Sequence, residues 1–254
     1  MIKLVDVSKK FQNKVALSHI NLEIKRGETL AIIGGSGSGK STLLRLLVGL
    51  INPTSGEIWI DGREVSHLDD EERAKTRLNM GMVFQYSALF DSMTVGENVA
   101  FGLREHKKLS EEKIREVVRE KLHLVGLEGV ENMMPGELSG GMKKRVSLAR
   151  AIAIEPGIIF YDEPSSGLDP ITTRKIDELI VNTQEALQVT SVVVTHDMIS
   201  ACYIADRIAM VYGGKLIAVD TPENFKKLDD ERIRDFFDVM RERKRKGGGY
   251  DPRS

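Results

Sequence analysis

The stretch Gly34-Gly35-Ser36-Gly37-Ser38-Gly39-Lys40-Ser41 has residue types and spacing suited to one kind of chemistry, the cradling of an oligophosphate. Its glycines let backbone N–H groups turn inward, Lys40 brings a point charge to the β and γ phosphates, and the Ser41 hydroxyl, beside Thr42, can ligate Mg²⁺. A nucleoside triphosphate is the implied ligand. Three further polar groups follow apolar runs. Asp162 and Glu163 come after Ile158-Ile159-Phe160-Tyr161, Gln85 after Met80 to Phe84, and His196 after Ser191 to Val194. Asp162 suits Mg²⁺ held through water, and Glu163 suits orienting or deprotonating an attacking water. His196 is expected at the γ-phosphate, and Gln85 at the metal or the water. Leu138-Ser139-Gly140-Gly141-Met142 opens a helix and offers a second anion site of exposed N–H donors. Lys143, Lys144 and Arg145 crowd that helix start, where cations are disfavoured by roughly 0.3–1 kcal/mol each. Either a bound phosphate relieves the conflict or the side chains splay into water.

The elements that must position these groups read as an α/β chain. Thr29 to Ile33 is a short apolar, partly β-branched run before the glycine-rich loop, and the leucines from Thr42 to Leu50 continue it as a core-facing helix. Strand character also marks Ile2 to Val7, Leu17 to Ile24, Glu57 to Asp61, Met80 to Phe84, Ile158 to Tyr161, Ser191 to Val194, Arg207 to Val211 and Lys215 to Val219. Helical patterns between the later strands predict a mostly parallel sheet, whose strand ends gather the carboxylates, Gln85 and His196 at the edge holding the loop. From Ser92 to about Ile154 the reading is a helical insertion. Its clearest helix follows Ser110 as N-cap, with Ile114, Val118, Leu122 and Val125 at helical spacing. Trp59, the only tryptophan, lies between Ile58 and Ile60 and reads as packing.

Composition narrows the class. With 37 Lys and Arg against 38 Asp and Glu the net charge is -1, so no bulk basic surface points to nucleic acid. The one cysteine, Cys202, forms no internal disulfide, and no apolar run approaches the roughly 20 residues that span a bilayer. Without a secretory h-region at Met1 to Asp6, the expectation is a cytosolic chain that reaches membranes through a partner. After Pro222 a helical tail around Ile233, Phe236, Phe237 and Met240 leads into Arg241-Glu242-Arg243-Lys244-Arg245-Lys246, expected to be a disordered solvated run.

The loop Gly34 to Ser41, Gln85, Leu138-Ser139-Gly140-Gly141, Asp162-Glu163, Ser166-Gly167-Leu168-Asp169 and His196 stand in the order of the nucleotide-binding subunits of ABC transporters, which this chain resembles. The resemblance implies a P-loop NTPase core of RecA-like type, an antiparallel β subdomain and an inserted α-helical subdomain. It assigns 1–221 to the ATP-binding domain, with core and β subdomain at 1–91 and 155–221 and the helical subdomain at 92–154, and leaves 222–254 as an extension. It also implies ATP and Mg²⁺ as ligands, an integral-membrane permease, and a head-to-tail dimer in which Ser139, Gly140 and Gly141 of one copy complete the other's site. Asp169 would lie in the loop joining the two sites, and Phe11 would stack on adenine. Met142, where importers of polar amino acids usually have glutamine, together with Gln85 to Asp91, Leu103 to His106, Asp169 to Thr172 and Glu231 to Phe237, is similar to ATPases of maintenance-of-lipid-asymmetry (Mla) systems. That finer resemblance implies phospholipid transport between inner and outer membranes from the cytoplasmic face of the inner membrane. An MCE-type substrate-binding protein and a STAS-domain protein are its implied partners. The alternatives are a small-solute importer ATPase or a soluble ABC ATPase without transport.

Overall fold

Strands buried on both faces build the centre of the molecule. The computed structural model describes residues 1–236, so the basic run expected to be disordered lies outside the described residues. The strands are β1 (Ile2–Phe11), β2 (Lys14–Ile24), β3 (Thr29–Ile33), β4 (Ser55–Ile60), β5 (Arg63–Glu64), β6 (Met80–Val83), β7 (Ile158–Asp162), β8 (Thr190–Val194), β9 (Arg207–Tyr212) and β10 (Lys215–Asp220). A six-stranded sheet has the order β10-β9-β3-β8-β7-β6, parallel except for β10. All five residues of β3 and of β8 are buried, which suits the apolar runs Leu30 to Ile33 and Val192 to Val194 within them. A second sheet, β2-β1-β4-β5, is antiparallel throughout.

Between β6 and β7 the chain runs through α3 (Val95–His106), α4 (Glu111–Leu124) and α5 (Gly140–Ala153). The other helices are α1 (Lys40–Leu47), α2 (Asp70–Arg77), α6 (Pro170–Leu187), α7 (Met198–Ile204) and α8 (Pro222–Phe225). Ser110 caps α4 as expected, its hydroxyl accepting from the Lys113 N–H at 3.2 Å. Thr94 caps α3 in a reciprocal box with Glu97, an arrangement set by the Thr-x-x-Glu spacing.

The period of two along the strands divides the core into separate layers. Ile159 and Tyr161 face the helices α3 to α5, whereas Ile158 and Phe160 face α1 and the antiparallel sheet. On β3, Leu30 and Ile32 join that second layer, while Ala31 and Ile33 pack with Met198, Ile208, Phe225 and Ile233 in a third. Residues 231–236 are helical, and Ile233 anchors them there.

Two readings of the sequence need correction. β1 and β2 extend well past the expected segments, reaching Phe11 and starting at Lys14, because register shifts along β1 let polar residues stay in the ladder. α2 was not expected at all. None of its residues is buried, so no apolar stripe announces it, and it rests on the Asp69 cap and acidic first turn instead. Trp59 is half-buried within β4, its indole N–H donating to Glu57 Oε2 at 2.9 Å.

Candidate functional site

The loop between β3 and α1 is built around glycines, two of which leave no room for a Cβ. Gly34 has φ +151, and a Cβ there would stand 2.2 Å from the Val211 carbonyl oxygen. Gly39 has φ +116, and its Cβ would meet Leu17 Cδ2 at 2.7 Å. Gly37 lies in the left-handed region at φ +74 with open space around it. Lys40 opens α1, is buried, and its Nζ donates to the carbonyls of Gly34 at 2.8 Å and Gly35 at 3.1 Å. Burial pushes the Lys40 pKa down, opposed by the charges of Glu163 and Asp162. No side chain caps α1 and its first turn holds no acid, so its N-terminal donors are free for an anion. Ser38 Oγ is buried without a hydrogen-bond partner, an orphan that a phosphate oxygen would satisfy. Gly35, Ser36 and Ser41 are exposed and Thr42 half-buried at the loop's outer side.

Parallel pairing brings the ends of β7 and β8 together beside this loop. Glu163 follows β7 with φ +48, a left-handed conformation uncommon outside glycine. Its N–H donates to the Val194 carbonyl at 2.9 Å, and its Oε2 lies 2.8 Å from Nδ1 of His196. The Glu163 side chain is 15% exposed against 54% for His196. Asp162 is half-buried, and burial, then the neighbouring Glu163 charge, raises its pKa against the pull of Arg45, Lys40 and Lys144. Gln85, after β6, donates from Nε2 to Ser166 Oγ at 3.3 Å. Both carboxylates, Gln85 and His196 therefore gather where the strand order predicted.

Other predicted groups stand apart. Ser139 is the N-cap of α5, its Oγ accepting from the Met142 N–H at 3.3 Å. Gly141 packs against α6, where a Cβ would sit 2.8 Å from Thr172 Cγ2, and Gly140 faces Leu168. Asp169 caps α6 by accepting from the N–H groups of Ile171 and Thr172, each at 3.0 Å, and its bonds to Thr172 lower its pKa. Phe11 is 44% exposed at the end of β1, with Lys9 Nζ 5.1 Å from its ring centroid. Among the described residues, no hydrogen bond joins Phe11, Ser139, Gly140, Gly141 or Asp169 to residues 34–42.

Lys144 departs from both readings of the helix start. It neither splays into water nor faces an anion, but turns inward to donate to the main-chain carbonyls of Gln85 and Glu163. Its spacing, four before buried Leu148 and seven before buried Ala151, places it on the apolar stripe and was the signal available in the sequence.

The family model described as ABC transporter matches residues 17–166. The chain belongs to the ABC transporter family. As an ABC cassette it is an ATP-binding subunit and an ATPase. It is similar to the intermembrane phospholipid transport system ATP-binding protein MlaF of Haemophilus influenzae, 43% identical across 93% of this chain and 90% of that protein. It is also similar to the methionine import ATP-binding protein MetN of Carboxydothermus hydrogenoformans, 45% identical across 85% of this chain and 64% of that protein. Among solved structures, an ABC cassette dimer in a post-hydrolysis state with ADP and Pi is 39% identical, with a TM-score of 0.80 over 87% of this chain and 99% of that one.

Proposed function

We propose that this ABC ATPase powers phospholipid movement between an inner and an outer membrane, working as a head-to-tail pair beneath an integral-membrane permease on the cytoplasmic face of the inner membrane. The observation that carries the hydrolytic part is the Glu163–His196 contact at the ends of β7 and β8, beside the buried ammonium of Lys40. In this reading residues 34–42 hold the phosphates, Phe11 meets the adenine, and Ser139, Gly140, Gly141 and Asp169 of the second copy close the site. Glu163 orients the attacking water and takes up its proton, His196 keeps that carboxylate aimed, and Gln85 reports the state of the site to the helices that follow it.

The residues suit Mg²⁺ held mainly by the nucleotide. Among the described residues, no group of three His, Cys, Asp or Glu could hold a metal alone. Ser41, Gln85 and Asp162 would supply a hydroxyl, an amide and a carboxylate, a sparse oxygen set of the kind Mg²⁺ takes beside phosphates and water. The ion would offset phosphate charge when bound.

An apolar groove of about 790 Å³ runs between α2, β6, α3 and α5, lined by Leu78, Met82, Phe84, Phe90, Phe101 and Arg150. It is the proposed seat of the permease, and Tyr86, 86% exposed beside it, extends the contact. No helix of the described residues is long and apolar enough to cross a membrane, and in this reading the permease provides the path. An MCE-type substrate-binding protein and a STAS-domain protein are the further proposed partners.

The likeness to the Haemophilus protein across nearly the whole of both chains supports a lipid cargo. Likeness to the methionine importer subunit supports a second reading, a small-solute importer. Co-purification with the permease from detergent-solubilised membranes, followed by reconstitution with fluorescent phospholipid, separates them. ATP-dependent lipid transfer is expected. Turnover stimulated by a small solute and indifferent to lipid would replace the first reading by the second.

A further inference from the structure

α5 sends a buried cation to the back of the site. Lys144 stands one turn beyond the Ser139-Gly140-Gly141 start of its helix and is 7% exposed. A lysine ammonium so enclosed must find oxygen acceptors. It finds two, the main-chain carbonyl of Gln85 and that of Glu163 at 3.4 Å, and among the described residues it pairs with no carboxylate side chain. The Glu163 carbonyl, part of a left-handed residue, also accepts from the Ser166 N–H at 3.1 Å. The turn after Gln85 is equally unusual, with Ser87 at φ +62 and Ala88 at φ +46. Arg150, farther along α5, donates to the carbonyls of Ser87 at 2.9 Å and Ala88 at 2.7 Å. One helix therefore grips the strand-end turn of β6 at three carbonyls and that of β7 at one.

We propose that Lys144 is a positioning residue for hydrolysis, tying the main chain of Gln85 to that of Glu163 so that both side chains meet the nucleotide as one unit. That unit is carried by the helix whose first turn is the Ser139-Gly140-Gly141 anion site, so a displacement of the first turn moves both groups together. Hydrogen bonds from a charged donor in such a place are worth more than neutral ones, and an apolar residue of similar length would fill the space without making the tie. The inference rests on the proposed role of Glu163.

The test measures steady-state ATP hydrolysis, ATP binding and thermal melting of the full-length chain for wild type, Lys144→Met, Lys144→Arg, Lys144→Gln and Glu163→Gln. Lys144→Met should lower kcat about tenfold while KM for ATP stays within about twofold, and Lys144→Arg, which keeps charged donors, should restore most of it. Lys144→Gln, which keeps a donor but not its charge, should give a kcat between those of Lys144→Met and Lys144→Arg. A Lys144→Met turnover within about twofold of wild type overturns the proposal. So does a loss that Lys144→Arg leaves unrestored, since that marks a packing role. Wild-type turnover in Glu163→Gln would instead remove the underlying reading of the site, whereas its loss beside an unimpaired Lys144→Met removes only the role of Lys144.

Discussion

Glu163 occupies a conformation that disfavours any residue with a Cβ, at a cost on the order of 1–3 kcal/mol, and five contacts hold it there. Strain so placed serves aim rather than stability. Replacing the carboxylate by an amide of the same shape keeps the backbone and removes the proton acceptor. Glu163→Gln should therefore retain ATP binding while turnover falls at least about a hundredfold, as phosphate-release and nucleotide-binding assays would show. The phosphate loop was legible in the sequence because its chemistry is local, eight consecutive residues whose glycines answer to backbone geometry alone. Glu163 and His196 were legible only through the strands that end at them. Their mutual contact depends on β7 lying beside β8, a long-range pairing. Lys144 was misread because a charged residue on a helix ordinarily faces water, and its acceptors are carbonyls 59 and 19 positions away. Main-chain oxygens carry no sequence signature.

At the scale of elements, α6 and α7 are joined by contacts that composition did not reveal. Ser200 donates to Asp177 Oδ2 at 2.8 Å, and the Arg174 guanidinium lies 3.4 Å from the centre of the Tyr203 ring. Asp177 is 4% exposed and its Oδ1 has no partner. Burial drives its pKa up to about 6, with Asp197 and Glu178 pushing the same way and Ser200 and Arg174 opposing. Because this folded value lies above the unfolded one near 3.9, the stability contributed by protonated Asp177 is present below about pH 4 and is lost as pH rises through about 6. Asp177→Asn should consequently gain stability relative to wild type on going from about pH 4 to about pH 8, on the order of 2 kcal/mol, read from melts across that range. The strands were legible where every residue is buried, as in β3 and β8, and blurred where polar residues stay in the ladder, as in β1. α2 shows the opposite limit, a helix held by its cap and its acidic first turn, which a search for apolar spacing passes over.

The whole molecule separates the helix starts of α1 and α5. The donors of α1 stand at the end of β3, while those of α5 pack against α6 and make no bond to residues 34–42 among the described residues. Under the proposed function, a single copy thus meets the triphosphate on one side only. Hydrolysis per chain should rise with protein concentration, or on adding the permease, until pairing saturates, and a turnover flat across a concentration series from dilute to about micromolar would argue for a self-sufficient chain. The three core layers on either side of the central sheet bear on how such measurements are read. The lone indole, Trp59, lies on β4 of the antiparallel sheet, between the buried Ile58 and Ile60 and apart from the core that holds α3 to α5. Emission from this chain is therefore an optical reporter of that sheet, while far-ultraviolet dichroism is weighted toward the helices. Any gap between the two melting curves becomes a direct view of one layer loosening before another.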